Sequence, residues 1–321
     1  MARFRINFVS DSVKDAMDVY VIIPQKKQVR TDREPDIVLG SFSSAYPLLM
    51  LLHDEASSPE ELLNMSRAER YANEHQVMLV VPAGLLSFYT DYAERDAASN
   101  TANAVSGNAG IENNFTEMCY ETYIMDVLEY VRRIFPVASR SRETTWIGGI
   151  GMGGFGAVKL GMKYPDCFSR VFSISGDVDL QWKMDNEPWR REQFMSIFGA
   201  LTASGDNDLP GACLKAAAAG NVAASEAPER PDGEAAPEAV MQTEAAAAQA
   251  ETAAGPDTQP PRLMLLWQEN DGKALMNERL RDAIYGRYPG LVTKVLAASC
   301  GWDHVDEGLL LAFDWAALEK V

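Results

Sequence analysis

The chain has 321 residues, 47% of them hydrophobic, and a formal net charge of -17. That length holds one large α/β domain or two small ones. So acidic a chain would repel nucleic-acid phosphates and an anionic membrane surface, so neither is expected as a partner.

The four cysteines, Cys119, Cys167, Cys213 and Cys300, form no CxxC pair and no zinc-type cluster. No metal or cofactor is therefore expected. The opening residues MARFRINFVSDSVKD lack the apolar core of a signal peptide, and no apolar stretch reaches ~18 residues. The expectation is a cytoplasmic protein.

In chain order, Arg3 to Ser10 (RFRINFVS) alternates apolar and polar as a strand does, and Asp18 to Pro24 (DVYVIIP) is a second strand. Residues 25–46 are a polar connection. Pro47 to His53 (PLLMLLH) is an unbroken apolar run, the pattern of a strand buried on both faces. Ser58-Pro59-Glu60-Glu61 has the cap, first-turn proline and capping-box glutamate of a helix start, and this helix is expected to run to about Glu74. Gln76 to Pro82 is a further buried strand. Residues 84–115 read as loop, and Phe115 to Phe135 as a helix that Pro136 stops. Next come strand 144–149, helix 152–164 and strand 170–175. Arg262 to Trp267 is a strand, Lys273 to Tyr285 a helix, Leu291 to Ala298 a strand and His304 to Lys320 a helix.

Alternating strands and helices predict a mostly parallel sheet covered on both faces, with the two opening strands as an antiparallel edge. Residues 216–259 break the pattern. They are rich in Ala, Glu, Pro, Gly and Gln with almost no large apolar side chain, so a disordered or loosely helical acidic insertion is expected in a single domain spanning 1–321.

The stretch TTWIGGIGMGGFGAVKLGM, residues 144–162, admits three readings. Gly149, Gly151 and Gly154 fit G-x-G-x-x-G, a dinucleotide fingerprint that would hold pyrophosphate at a helix N-terminus. A lone fingerprint is weak, and this one falls late in the strand order. Gly149-Ile150-Gly151-Met152-Gly153 also has the frame of G-x-S-x-G, the strand-to-helix elbow that presents a nucleophilic serine, with Gly151 at the serine's position. The third reading is a structural joint with no site.

The surroundings of this turn resemble the esterase D-like α/β-hydrolases, which include tributyrin esterases and S-formylglutathione hydrolases and, more distantly, the mycolyltransferases. The resemblance covers roughly residues 1–200 and 260–321. It rests on LLHDEASSPEELL, VVPAGLLSFYTDY, IFPVASRSRETTWIGGIGMGGFGAVKLGMKYPDCF, SISGDVD, WQENDGKAL and CGWDHVDEGLLLAFDWAAL. It implies an α/β-hydrolase sheet of about eight strands and a Ser-Asp-His triad acting on short-chain acyl esters or thioesters. Carried onto this chain, the triad positions are Gly151, Asp271 and His304. The oxyanion hole falls on the Met152 N–H and the turn after His53, where Asp54 stands. The loop from Tyr89 to Asp91 is expected to border the substrate.

Two departures strike the same chemistry. Gly151 has no side chain with which to attack a carbonyl. Asp54 replaces the glycine that usually follows the histidine, placing a carboxylate where negative charge must be stabilised. Glycine also relieves the backbone strain of an elbow, worth on the order of 1–3 kcal/mol for other residues. No other nucleophile stands out. Ser173 and Ser175 read as strand packing, Ser57 and Ser58 as capping, and Cys167 as remote. His75 reads as a surface residue and His53 as structural.

The expectation is an ester hydrolase by descent that is impaired or inactive, binding a small acyl-ester or ester-like ligand. A hydrolase using water activated by an Asp271–His304 dyad and a dinucleotide-binding protein are the alternatives. The sequence leaves room for a homo-oligomer.

Overall fold

A computed structural model describes residues 1–25, 45–93, 118–225, 259–297 and 301–317. Two long strands, β1 (Ala2–Ser10) and β2 (Asp15–Ile23), pair antiparallel at one edge. β3 (Leu48–Leu52) follows and is buried at every position. The helix expected from Ser58 to Glu74 is two helices, α1 (Pro59–Met65) and α2 (Ala68–Glu74). The break lies at Ser66, whose hydroxyl donates to the Leu62 carbonyl at 2.6 Å and accepts from the Ala68 N–H at 3.3 Å. A side chain that satisfies the backbone locally ends one helix and caps the next.

β4 (Met78–Pro82) is buried throughout. α3 (Tyr120–Ile134) carries the helical pattern read from Phe115, and the loop expected over 84–115 lies outside the described residues beyond Ala93. β5 (Thr145–Ile150), α4 (Met152–Lys163) and β6 (Arg170–Ile174) form the strand–turn–helix–strand block at the glycine-rich stretch. Three helices then follow that periodicity did not reveal: α5 (Leu180–Asn186), α6 (Arg191–Phe198) and α7 (Leu209–Ser225). Residues 216–225 are thus helix, so the low-complexity tract expected over 216–259 opens on a regular element, and its part from 226 to 258 lies outside the described residues. β7 (Arg262–Gln268), α8 (Ala274–Ile284), β8 (Leu291–Leu296) and α9 (Trp302–Ala317) close the chain.

The eight strands form one sheet in the order β1-β2-β4-β3-β5-β6-β7-β8, parallel from β4 to β8, as the α/β-hydrolase expectation requires. Alternate side chains of each strand enter different layers. Leu48, Met50 and Leu52 pack into a core with α3, α4 and α8, whereas Leu49 and Leu51 pack into one with α1, α2 and α9. This two-sided burial explains the continuous apolar runs. Among the described residues no helix is long and apolar enough to cross a membrane.

Candidate functional site

β3 has β4 on one side and β5 on the other, so the chain's direction of travel across the sheet reverses there. A crevice opens beyond the strand ends at such a point, and it is the usual place for a ligand in an open α/β sheet. Asp54 follows β3 and Gly151 follows β5 at that crevice.

The elbow is built by close approach. A Cβ at Gly153 would collide with the carbonyls of Leu52 and His53, so α4 can start against the end of β3 only with glycine there. Gly151 has φ 55° and ψ -118°, a conformation that side-chain-bearing residues adopt at a cost. Its N–H donates to the Ile174 carbonyl at 3.1 Å, and its own carbonyl accepts from the Asp177 N–H at 3.0 Å. The turn is thus tied to the end of β6.

The Asp54 carboxylate fills the space beside Gly151. Its Oδ1 accepts from the Met152 N–H at 2.9 Å and from the Glu55 N–H at 2.8 Å. Its Oδ2 faces the Lys273 ammonium at 3.4 Å. A Cβ built on Gly151 would collide with this carboxylate. Two backbone donors, one of them at the N-terminus of α4, therefore converge on an anion that belongs to the chain itself. Such charge-assisted bonds at a helix start are favourable. Both donors are thereby used within the chain. An external pyrophosphate seeking the same helix start through Gly149, Gly151 and Gly154 would meet the Asp54 charge there.

Behind Asp54 lies a network of charges. Lys273 Nζ stands 3.3 Å from Asp177 Oδ1, and Lys183 Nζ stands 3.3 Å from Asp177 Oδ2. Lys183 also reaches Glu55 at 3.4 Å and Glu187 at 3.2 Å. Arg190 clasps Glu55 through two contacts of 2.6 and 3.0 Å. Burial pushes the Lys273 ammonium down, but the charges of Asp177 and Asp54 outweigh it and hold the group above its ordinary value. Burial likewise pushes the Glu55 carboxyl up. The Arg190 hydrogen bonds and the charges of Lys183 and Arg190 overcome this and hold it low. Asp177 is completely buried, and there burial prevails over the pull of both lysines and raises its carboxyl.

Asp271 lies in the turn after β7, where its Oδ1 accepts from the Lys273 N–H at 3.2 Å. His304 lies in the first turn of α9. Both line a cavity of about 320 Å³ together with Asp54, Lys273 and Ser175. No hydrogen bond joins Asp271 to His304, and His304 Nδ1 is buried without a partner among the described residues.

Tyr89 and Asp91 are engaged elsewhere. Tyr89 is completely buried, and its hydroxyl donates to the His53 carbonyl at 3.1 Å. Asp91 caps α3, accepting from the Glu121 and Thr122 N–H groups at 2.8 and 3.1 Å. Neither lines the cavity above. His53 is buried. Its Nε2 accepts from the Gly84 N–H at 2.8 Å, which leaves the proton on Nδ1 to donate to the Asp54 carbonyl at 2.8 Å. This neutral ring fixes the backbone at Asp54, and burial pushes its titration down. His75 is half-buried, packed on Phe313 and 3.3 Å from Asp314.

Lys273 and Glu55 escaped sequence reasoning as site residues, and Ser175 reads there as strand packing. Only the N-D-G-K spacing after β7 hinted at one of them, since it sets Lys273 two residues beyond Asp271.

A family model described as "Putative esterase" matches residues 10–224. An acetyl esterase of Caldicellulosiruptor saccharolyticus is 28% identical over 176 residues, which is 54% of this chain. The match spans little more than half of that relative, 56% of its length. Among solved structures, the fluorophosphonate-binding serine hydrolase F of Staphylococcus aureus superposes with a TM-score of 0.68 at 21% identity, covering 98% of each chain. An S-formylglutathione hydrolase of Agrobacterium tumefaciens superposes with a TM-score of 0.62 at 14% identity, covering 98% of this chain and 94% of its own.

Proposed function

Given that this chain belongs to the putative esterase family, we propose that it is a member that binds a small ester-like molecule without cleaving it through a serine. The observation that carries this reading is the Asp54 carboxylate accepting from both the Met152 and Glu55 N–H groups. A serine hydrolase needs a nucleophile at the elbow and empty donors for the oxyanion. Here residue 151 has no side chain, and the donors hold a resident anion. A negative charge beside the reacting carbonyl opposes the charge that must develop there.

The cavity that remains, about 320 Å³, suits a ligand of short-chain ester size. The protein would then act by binding, with residue 151 and Asp271 and His304 marking the inherited triad positions. A water-based mechanism needs His304 oriented as a base. Among the described residues its Nδ1 has no partner to fix the ring, so nothing favours that reading over the first.

Hydrolysis of p-nitrophenyl butyrate by the protein as it stands tests this. The expected result is no turnover above buffer, unchanged in His304→Ala. Turnover that His304→Ala abolishes would establish a working dyad and overturn the proposal.

A further inference from the structure

We propose that the cavity lined by Asp54, Asp271 and His304 binds a small organic ammonium ion, an inference that rests on reading the site as a non-hydrolytic pocket. Whatever ligand enters is held without the Met152 and Glu55 N–H groups, which Asp54 occupies. What the cavity offers instead is negative charge and unused acceptors.

Asp54, Asp271 and Glu61 line it, against a single lysine. That lysine, Lys273, is flanked by Asp54 at 3.4 Å and Asp177 at 3.3 Å, so its charge is already matched. Asp271 accepts a backbone N–H and has no cationic partner among the described residues. An incoming carboxylate would be repelled by Asp54 and Asp271, whereas a cation would be attracted.

The independent sign of a ligand is a pair of orphaned polar atoms. Ser175, which lines this cavity, is 3% exposed, and its Oγ is buried with no hydrogen-bond partner among the described residues. His304 Nδ1, on the same cavity, is buried and unpartnered. Buried polar atoms left unpaired are costly, so their persistence asks for an occupant. Ser175 also keeps a φ of 43°, which a serine adopts only when its surroundings impose it. A hydroxyl oxygen, a neutral imidazole nitrogen and a carboxylate can all accept. A primary ammonium has three N–H donors for three such acceptors. Leu62, Ile150 and Val305 provide an apolar wall for its alkyl part.

Titration calorimetry with n-butylammonium, n-butanol and butyrate tests the assignment, because the three probes share a size and differ in charge. The ammonium is expected to bind at least tenfold more tightly than either control. Asp271→Asn should weaken it tenfold or more. Ser175→Ala should weaken it as well without lowering the melting temperature, since it removes an unpaired buried hydroxyl. Equal binding of butanol, tighter binding of butyrate, unaltered affinity in both variants, or no binding of the ammonium would each overturn the inference. Turnover of p-nitrophenyl butyrate by the same preparation would overturn the non-hydrolytic reading, whichever probe binds. Absence of ammonium binding without turnover would remove only the ligand class.

Discussion

At the elbow, the bare Cα of Gly151 and the carboxylate of Asp54 fit one another. Asp54 fits against the elbow only because residue 151 has no side chain. With Asp54 there, the two N–H donors are satisfied without a substrate. The carboxylate in turn depends on Lys273, which Asp177 holds from the far side. Asp177→Asn keeps the shape and removes the charge shared by Lys273 and Lys183. Breaking a buried pair costs about 3–5 kcal/mol. The expected loss is about 3 kcal/mol, the low end of that range, because each lysine retains another carboxylate. Urea unfolding measures it, and a change of about 0.5 kcal/mol or less, the size typical of an exposed position, would contradict the assigned role.

Elements were legible where burial dictates composition. β3, β4 and β6 are apolar along their length because both faces meet helices, and their runs were readable directly. α4 was legible from its glycine-rich entry, which close packing on β3 demands. The Ser66 break between α1 and α2 was not legible, since the apolar spacing continues across it and only the side-chain bonds end the helix. α5 and α6 span 7 and 8 residues, too short for a 3.6-residue period to declare itself. Yet α5 carries Lys183, and Arg190 immediately precedes α6, so half of the charge network was hidden with them. The site was partly legible for the same reason. Gly151 at the elbow and Asp54 after β3 are visible in the chain. That Asp54 reaches a donor 98 residues away is a property of the crevice where β3 and β5 meet.

Across the whole molecule, charge is organised rather than merely abundant. Glu55 is held low by Arg190 and Lys183 despite burial, and Glu121 is held low by Lys159 and Lys163 despite burial. Carboxyls with lowered folded-state values stabilise the protein above their ordinary value of 4.5, and that contribution is lost as pH falls through the lowered value. Asp177, raised by burial, acts in the opposite sense, so comparison with a variant isolates the effect. The combined Glu55→Gln and Glu121→Gln variant is expected to be less stable at neutral pH and to lose less stability on acidification below 4.5 than the parent. Melting temperature against pH checks this, and parallel acid limbs would refute it. The fold as a whole keeps the α/β-hydrolase sheet, and the donors at its elbow serve an internal anion. The most direct test compares hydrolysis of p-nitrophenyl butyrate by Gly151→Ser, Asp54→Gly and the two combined. Each single change is expected to be inert, Gly151→Ser also being destabilised by its collision with Asp54, and only the combined variant to gain turnover. Full activity in Gly151→Ser alone, with stability intact, would show that Asp54 does not occupy the hole.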